Sequence, residues 1–170
     1  MKKLLASVAV SALLALFAVP VLAASGSAPQ CAPPTPGQTY TCTMHLQNQP
    51  FPPMVVTPIV CPDGSTVPGG VLSIIVANGV FHVTINKAGD LWDTSTIEGP
   101  FTFIADTGTV YTGHYTEWFG DSLNNRNAVF TGTLNFIGTS STGALLNLHL
   151  EVHFGVSASG QVNTFMKTHC

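Results

Sequence analysis

The sequence predicts an all-β domain: an antiparallel meander, most simply a small up-and-down (calycin-like) barrel of about eight strands, with a sandwich as second choice. Three observations predict it. Hydrophobic residues make up 45% of the chain and charged ones only 8%, and the polar remainder is mostly Thr, Ser, Asn and Gly, a mix that suits sheets joined by tight turns. Apolar and polar residues alternate with period two, most plainly over 144–154. There Leu146, Leu148, Leu150 and Val152 take one face and Asn147, His149, Glu151 and His153 the other. No segment carries a helical period, and the connections between alternating segments are uniformly short.

The first element is a leader. Lys2 and Lys3 precede an uncharged apolar run over 4–19, Pro20 breaks it, and Val21, Leu22 and Ala23 end it with small residues at a cleavage position. This pattern reads as a secretory signal peptide over 1–23, and the run is short for a membrane span of roughly 20 residues. Its removal leaves no span and leaves Lys87, Arg126 and Lys167 as the only cations against eight acids. No basic stripe remains to neutralise phosphates, so nucleic acid is excluded as a partner, and anionic lipid is disfavoured for the same reason.

Residues 24–38 form a Pro-rich segment, and 39–170 read as a single all-β domain. Ten of the 12 prolines fall between Pro29 and Pro68, so the N-terminal third is irregular. One strand is predicted over 39–46 and an edge strand tolerating Pro58 over 54–60. Residues 72–77 and 80–86 flank Asn78-Gly79, which predicts a tight hairpin. Further strands are predicted over 91–97 and 101–105, with Glu98-Gly99-Pro100 between them, and then over 109–119, 128–137, 144–154 and 161–166. Four cysteines in an exported chain imply two disulfides. Cys42–Cys61 would close the Pro-rich connection, and Cys31–Cys170 would tie the N-terminal tail to the last strand.

Candidate site residues follow from the same alternation. Tyr111, Tyr115 and Phe119 share one strand face, and simple register sets them against Phe136, Gly132 and Ala128. Large rings beside small residues leave room for a ligand-sized cavity, with Trp118 on the other face. His114, His149 and Glu151 share the more polar face as acid/base or metal groups. Simple register puts Thr133 between the two histidines, about 10 Å apart, a poor span for one ion. Asp93, Glu98, Glu117 and Asp121 read as exposed acids near turns, with no spacing that sets two of them across a cleft. Neither a nucleophile elbow nor a phosphate-cradling loop occurs.

The stretch Val80-Phe81-His82-Val83-Thr84, the run Tyr111-Thr112-Gly113-His114-Tyr115-Thr116-Glu117-Trp118-Phe119-Gly120, the His149 to His153 strand and the terminal Cys170 resemble a group of small secreted bacterial proteins of unassigned function. The resemblance implies a secreted β-domain and brings no activity, cofactor or catalytic residue with it.

Two functions from different classes are expected. The first is a secreted, non-catalytic module, without cofactor, binding a small apolar ligand or an extracellular protein. The alternative is an enzyme on a calycin-like barrel using His114, His149 and Glu151. The uncommitted histidine spacing favours the first.

Overall fold

The computed structural model describes residues 31, 35, 37–124 and 126–170; the predicted signal peptide and most of the Pro-rich segment lie outside the described residues. Ten strands form: β1 (Tyr40–Pro50), β2 (Met54–Val56), β3 (Ile59–Val60), β4 (Thr66–Val67), β5 (Gly70–Ile85), β6 (Leu91–Ala105), β7 (Val110–Leu123), β8 (Ala128–Ser140), β9 (Leu145–Val156) and β10 (Val162–His169). The fold is all-β, as the alternation predicts. Eight strands make one antiparallel sheet in the order β1-β5-β6-β7-β8-β9-β10, with β2 pairing the start of β5, while β3 and β4 form a separate ribbon.

The expected barrel is not closed. β1 and β10 stand at opposite edges, and no ladder joins them among the described residues. The edges are tied covalently instead. Cys61, just after β3, bonds Cys170, just after β10, while Cys31 bonds Cys42 in β1. This corrects the expected Cys42–Cys61 and Cys31–Cys170 pairs. The reason is where the β3–β4 ribbon goes: Thr66 and Val67 share a cleft wall with Leu145, Leu146, Asn147 and Cys170, so the ribbon carries Cys61 to the far edge of the sheet.

Strands are longer than predicted because two expected breaks are continuous. Asn78-Gly79 is not a hairpin but lies inside the 16-residue β5, paired with Gln47 and Leu46 on one side and with Glu98 and Ile97 on the other. A one-residue bulge between Ile74 and Asn78 flips the phase of alternation, so Leu72, Ile74 and Val76 share the inner face with Phe81 and Val83. Gly79 is tight rather than left-handed: a Cβ there would stand 3.0 Å from Ile97 and 3.1 Å from Val76. Glu98-Gly99-Pro100 likewise continues β6. Gly99 accepts the bulge, since a Cβ would overlap the Ile75 carbonyl oxygen, and Pro100, without an N–H, sits where the bulge interrupts the β5 ladder. Met54 to Val60 divides into β2 and β3 around Pro58.

The core is one cluster on the inner face, from Leu72, Ile74 and Val76 through Ile97, Phe101, Phe103, Tyr115 and Phe136 to Leu146 and Leu148. Met54, Val56, Ile59 and Val67 pack onto it from the short strands. Phe101 is opposite Gly113, which is opposite Gly138, and its ring meets Phe136 edge-on at 5.5 Å.

A Cβ on Gly138 would lie 2.6 Å from the Thr112 carbonyl oxygen and 2.8 Å from the Phe101 ring. Gly138→Ala should therefore cost about 1–3 kcal/mol by urea unfolding. Gly120→Ala, whose Cβ would meet nothing nearer than 3.6 Å, should change stability by less than about 0.5 kcal/mol. A non-reducing peptide map should recover Cys31–Cys42 and Cys61–Cys170. Because the loops span 11 and 109 residues, removing the second bridge should destabilise by about 2 kcal/mol more than removing the first.

Candidate functional site

The register between β7 and β8 decides which predicted residues meet. Phe119 is opposite Gly132, Tyr115 opposite Phe136 and Tyr111 opposite Ser140, a shift of four residues from the simple register. The cause is the turn. β7 runs on to Leu123 opposite Ala128, and the Asn124 carboxamide oxygen accepts the Arg126 and Asn127 amides at 2.8 Å, closing a short Asn-headed turn. An even shift keeps every side chain on its expected face. Tyr111, Tyr115 and Phe119 thus point inward as predicted, and Trp118 outward.

The space expected beside Gly132 is filled. Phe130 would stand 3.2 Å from a Cβ on Gly132, its ring packs against Phe119 at 6.1 Å, and Phe81 meets Phe119 edge-on at 6.0 Å. Tyr115 is 1% exposed and stacks on Phe136. Two surface clefts of about 300 Å³ exist elsewhere: one between the turns at Asp90 and Arg126, the other beside Cys170, where Tyr111 contributes a wall. Tyr115, Phe119 and Trp118 line neither.

His114, His149 and Glu151 lie on the outer face but do not converge. Asn135, not Thr133, separates Thr116 from His149, and His114 is opposite Ile137. The Asn135 amide donates to the Thr116 hydroxyl at 3.2 Å, which turns its oxygen to His149, so His149 Nδ1–H donates to it. His149 Nε2 then faces the Glu151 carboxylate at 3.2 Å, and the His169 ring lies 5.6 Å from the His149 ring. Among the described residues no three His, Cys, Asp or Glu group as ligands for a metal.

The acids are where sequence reasoning missed most. Glu98 is at the surface, accepting from the Asn78 amide at 3.1 Å. Asp93, Glu117 and Asp121 instead face inward, and Asp93 is directly opposite Asp121. Burial pushes Glu117 up to about 7. Burial, and then the facing Asp93 charge, push Asp121 up to about 6. Burial raises Asp93 against two backbone hydrogen bonds, and burial followed by the Glu117 charge raises Tyr115. Asp93 Oδ1, Ser95 Oγ and the Tyr115 hydroxyl are buried with no protein partner. The usable signal was phase: each of these acids occupies an odd position in step with Ile97, Phe101, Tyr115 and Phe119. Ending the strand at 119 left Asp121 in a turn, while Asp93 and Glu117 lay within predicted strands on the inner phase.

The outer face of β6–β8 carries the other unusual group. Trp92 and Trp118 are each 43% exposed on that face. Thr94, Thr96, Thr131 and Thr133 lie in the rows between and beside them. A pair of threonine–histidine hydrogen bonds flanks these rows, Thr43 with His82 at 3.0 Å and Thr131 with His153 at 3.1 Å.

The buried carboxyls make stability depend on pH. Glu117 and Asp121 bind a proton more tightly folded than unfolded, their ordinary values being 4.5 and 3.8, so their contribution is complete below about pH 4 and lost as pH rises through about 6 and 7. The melting temperature should fall from about pH 5 to pH 8. Glu117→Gln should flatten that slope by an amount on the order of 3 kcal/mol. A melting temperature that rises over this range would place the carboxyls in water.

Compared with protein-family models, with curated proteins and with solved structures, the chain matches none.

Proposed function

We propose that this protein is a secreted, non-catalytic binding module whose recognition surface is the outer sheet face around Trp118. The observation that carries the reading is the pair of half-exposed indoles, Trp92 and Trp118, on one face of a sheet whose central inner rings, Phe101, Phe103, Tyr115, Phe119 and Phe136, are buried. Tryptophan is costly to leave in water and is enriched where surfaces recognise partners. The filled space beside Gly132 favours this outer face over a small apolar ligand held inside. Two disulfides suit an oxidising, extracytoplasmic compartment, in keeping with the predicted signal peptide. The separate positions of His114 and His149 weigh against the enzyme alternative.

Thermal-shift screening with fatty acids, isoprenoids, peptides and oligosaccharides tests it. A ligand at a hundredfold excess over its Kd should add about 2.7 kcal/mol and raise the melting temperature by several degrees. Trp118→Ala should abolish the shift while leaving the unliganded melting temperature within about 1 °C, the usual result for a surface substitution. A shift that survives Trp118→Ala but is lost on Phe119→Leu would move the site inside and overturn the proposal.

A further inference from the structure

The rows of the outer face can be read across six strands. One runs Thr43, His82, Thr94, Gly120, Thr131 and His153; the next runs His45, Val80, Thr96, Trp118, Thr133 and Glu151. Trp92 lies one row beyond the first, opposite Ser122. The Trp118 ring extends along its own strand over Gly120, its Cη2 atom 3.6 Å from where a Gly120 Cβ would stand. The ring therefore reaches toward the Trp92 row above a position that carries no side chain. Four residues and one strand separate the two tryptophans, about 14 Å between Cα atoms. The two indoles mark out an extended strip rather than a pocket.

Around the strip the chemistry is mainly hydroxyl and carries no cation, with Glu151 opposite Thr133 and Glu98 two residues from Thr96 as the flanking acids. Thr94, Thr96, Thr131, Thr133 and Ser122 offer hydroxyls, which both donate and accept. His82 and His153 each spend Nδ1 on a threonine within the sheet, which leaves Nε2 as the ring nitrogen directed elsewhere. Of the three cations among the described residues, Lys87 and Arg126 lie in turns and Lys167 is opposite Glu151 on β10. A phosphate, sulfate or uronate polymer would meet nothing here to neutralise it, and a net-acidic chain repels it. A lipid tail would find hydroxyls between the indoles where it needs a dry trough.

We propose that this face binds a neutral polysaccharide, its sugar rings stacked by their C–H faces on Trp118 and Trp92 and its hydroxyls bonded to the flanking threonines and histidines. The inference rests on reading the outer face as the recognition surface, and it names the ligand class. Sugar hydroxyls donate and accept at once, so threonine hydroxyls and imidazoles match them, and the flanking carboxylates accept from them. A polymer can engage both indoles together, whereas a single sugar covers one, so affinity grows with chain length.

Affinity electrophoresis through hydroxyethylcellulose, mixed-linkage β-glucan, galactomannan and glycogen tests the proposal, with pull-down on insoluble cellulose and chitin. Polygalacturonate and dextran sulfate serve as anionic controls. At least one neutral polymer should retain the protein and neither anionic one should. Trp118→Ala and Trp92→Ala should each weaken retention by about tenfold, a loss of one good aromatic contact. Trp118→Tyr should recover most of it, and Thr131→Val should cost a few-fold with the fold unchanged by circular dichroism. A hexasaccharide of the retained polymer should bind at least about tenfold tighter than its disaccharide. No retention by any neutral polymer, or retention that survives the double tryptophan variant, would overturn the proposal. A Trp118-dependent thermal shift with a peptide or lipid instead would keep the outer-face reading and remove the saccharide.

Discussion

Phe101 lies across from two glycines in succession, Gly113 on β7 and Gly138 on β8, and the rest of the inner face follows the same trade of ring against empty position. One row away Gly99 is followed by Tyr115 and Phe136, and two rows beyond that Phe119 is beside Gly132. Neighbouring strands are only about 4.8 Å apart, so a ring laid across a sheet needs a partner position with no side chain. Glycine provides that position and lets the backbones approach, which is why a Cβ at Gly113 or Gly99 would run into a carbonyl oxygen. The same packing fills the space beside Gly132 with the rings of Phe130 and Phe119.

That filled interior sets the terms for everything else on the inner face. Three carboxyls share it without a cation, and burial raises the pKa of each. Burial thus favours the protonated form of each, and the fold loses some stability as pH rises through the values of Asp121 and Glu117. The open edges are handled differently. The Cys61–Cys170 bond brings the β3–β4 ribbon against the β9–β10 side, where hydrogen bonds would otherwise have to close a barrel. A covalent tie across 109 residues constrains the unfolded chain more than a local one does.

The two faces of the sheet then divide the work. The buried rings and three acids, Asp93, Glu117 and Asp121, face in, while threonines, histidines and two indoles face out. This division survives errors of register because a slip by an even number of residues moves neighbours without turning a side chain over. Tyr111, Tyr115 and Phe119 kept their face although every partner changed, and His114 kept its face while losing His149 as a near neighbour. Face assignments are thus sturdier than site assignments, which need register to the residue. The outer face is the better candidate for recognition, because it combines exposure with a spacing fixed by the ladders beneath it.

The sequence by itself determined the all-β class, the inner and outer faces of each strand, and the turn after Ala105, where Gly108 takes the positive φ that a tight turn requires. These are local properties: alternation has a period of two residues, and a turn is written in four. Tertiary structure decided the rest. A two-residue hairpin and a one-residue bulge flip the phase of alternation alike, so Asn78-Gly79 looks the same in either. Only long β1 and β6 on both sides make it a bulged strand. Gly99-Pro100 looks like a break until the bulge opposite accepts both. Disulfide pairing and the facing of Asp93 with Asp121 depend on which strands lie alongside, and so does the strip formed by Trp92 and Trp118. That is settled by packing between residues distant in sequence, and no short-range pattern records it.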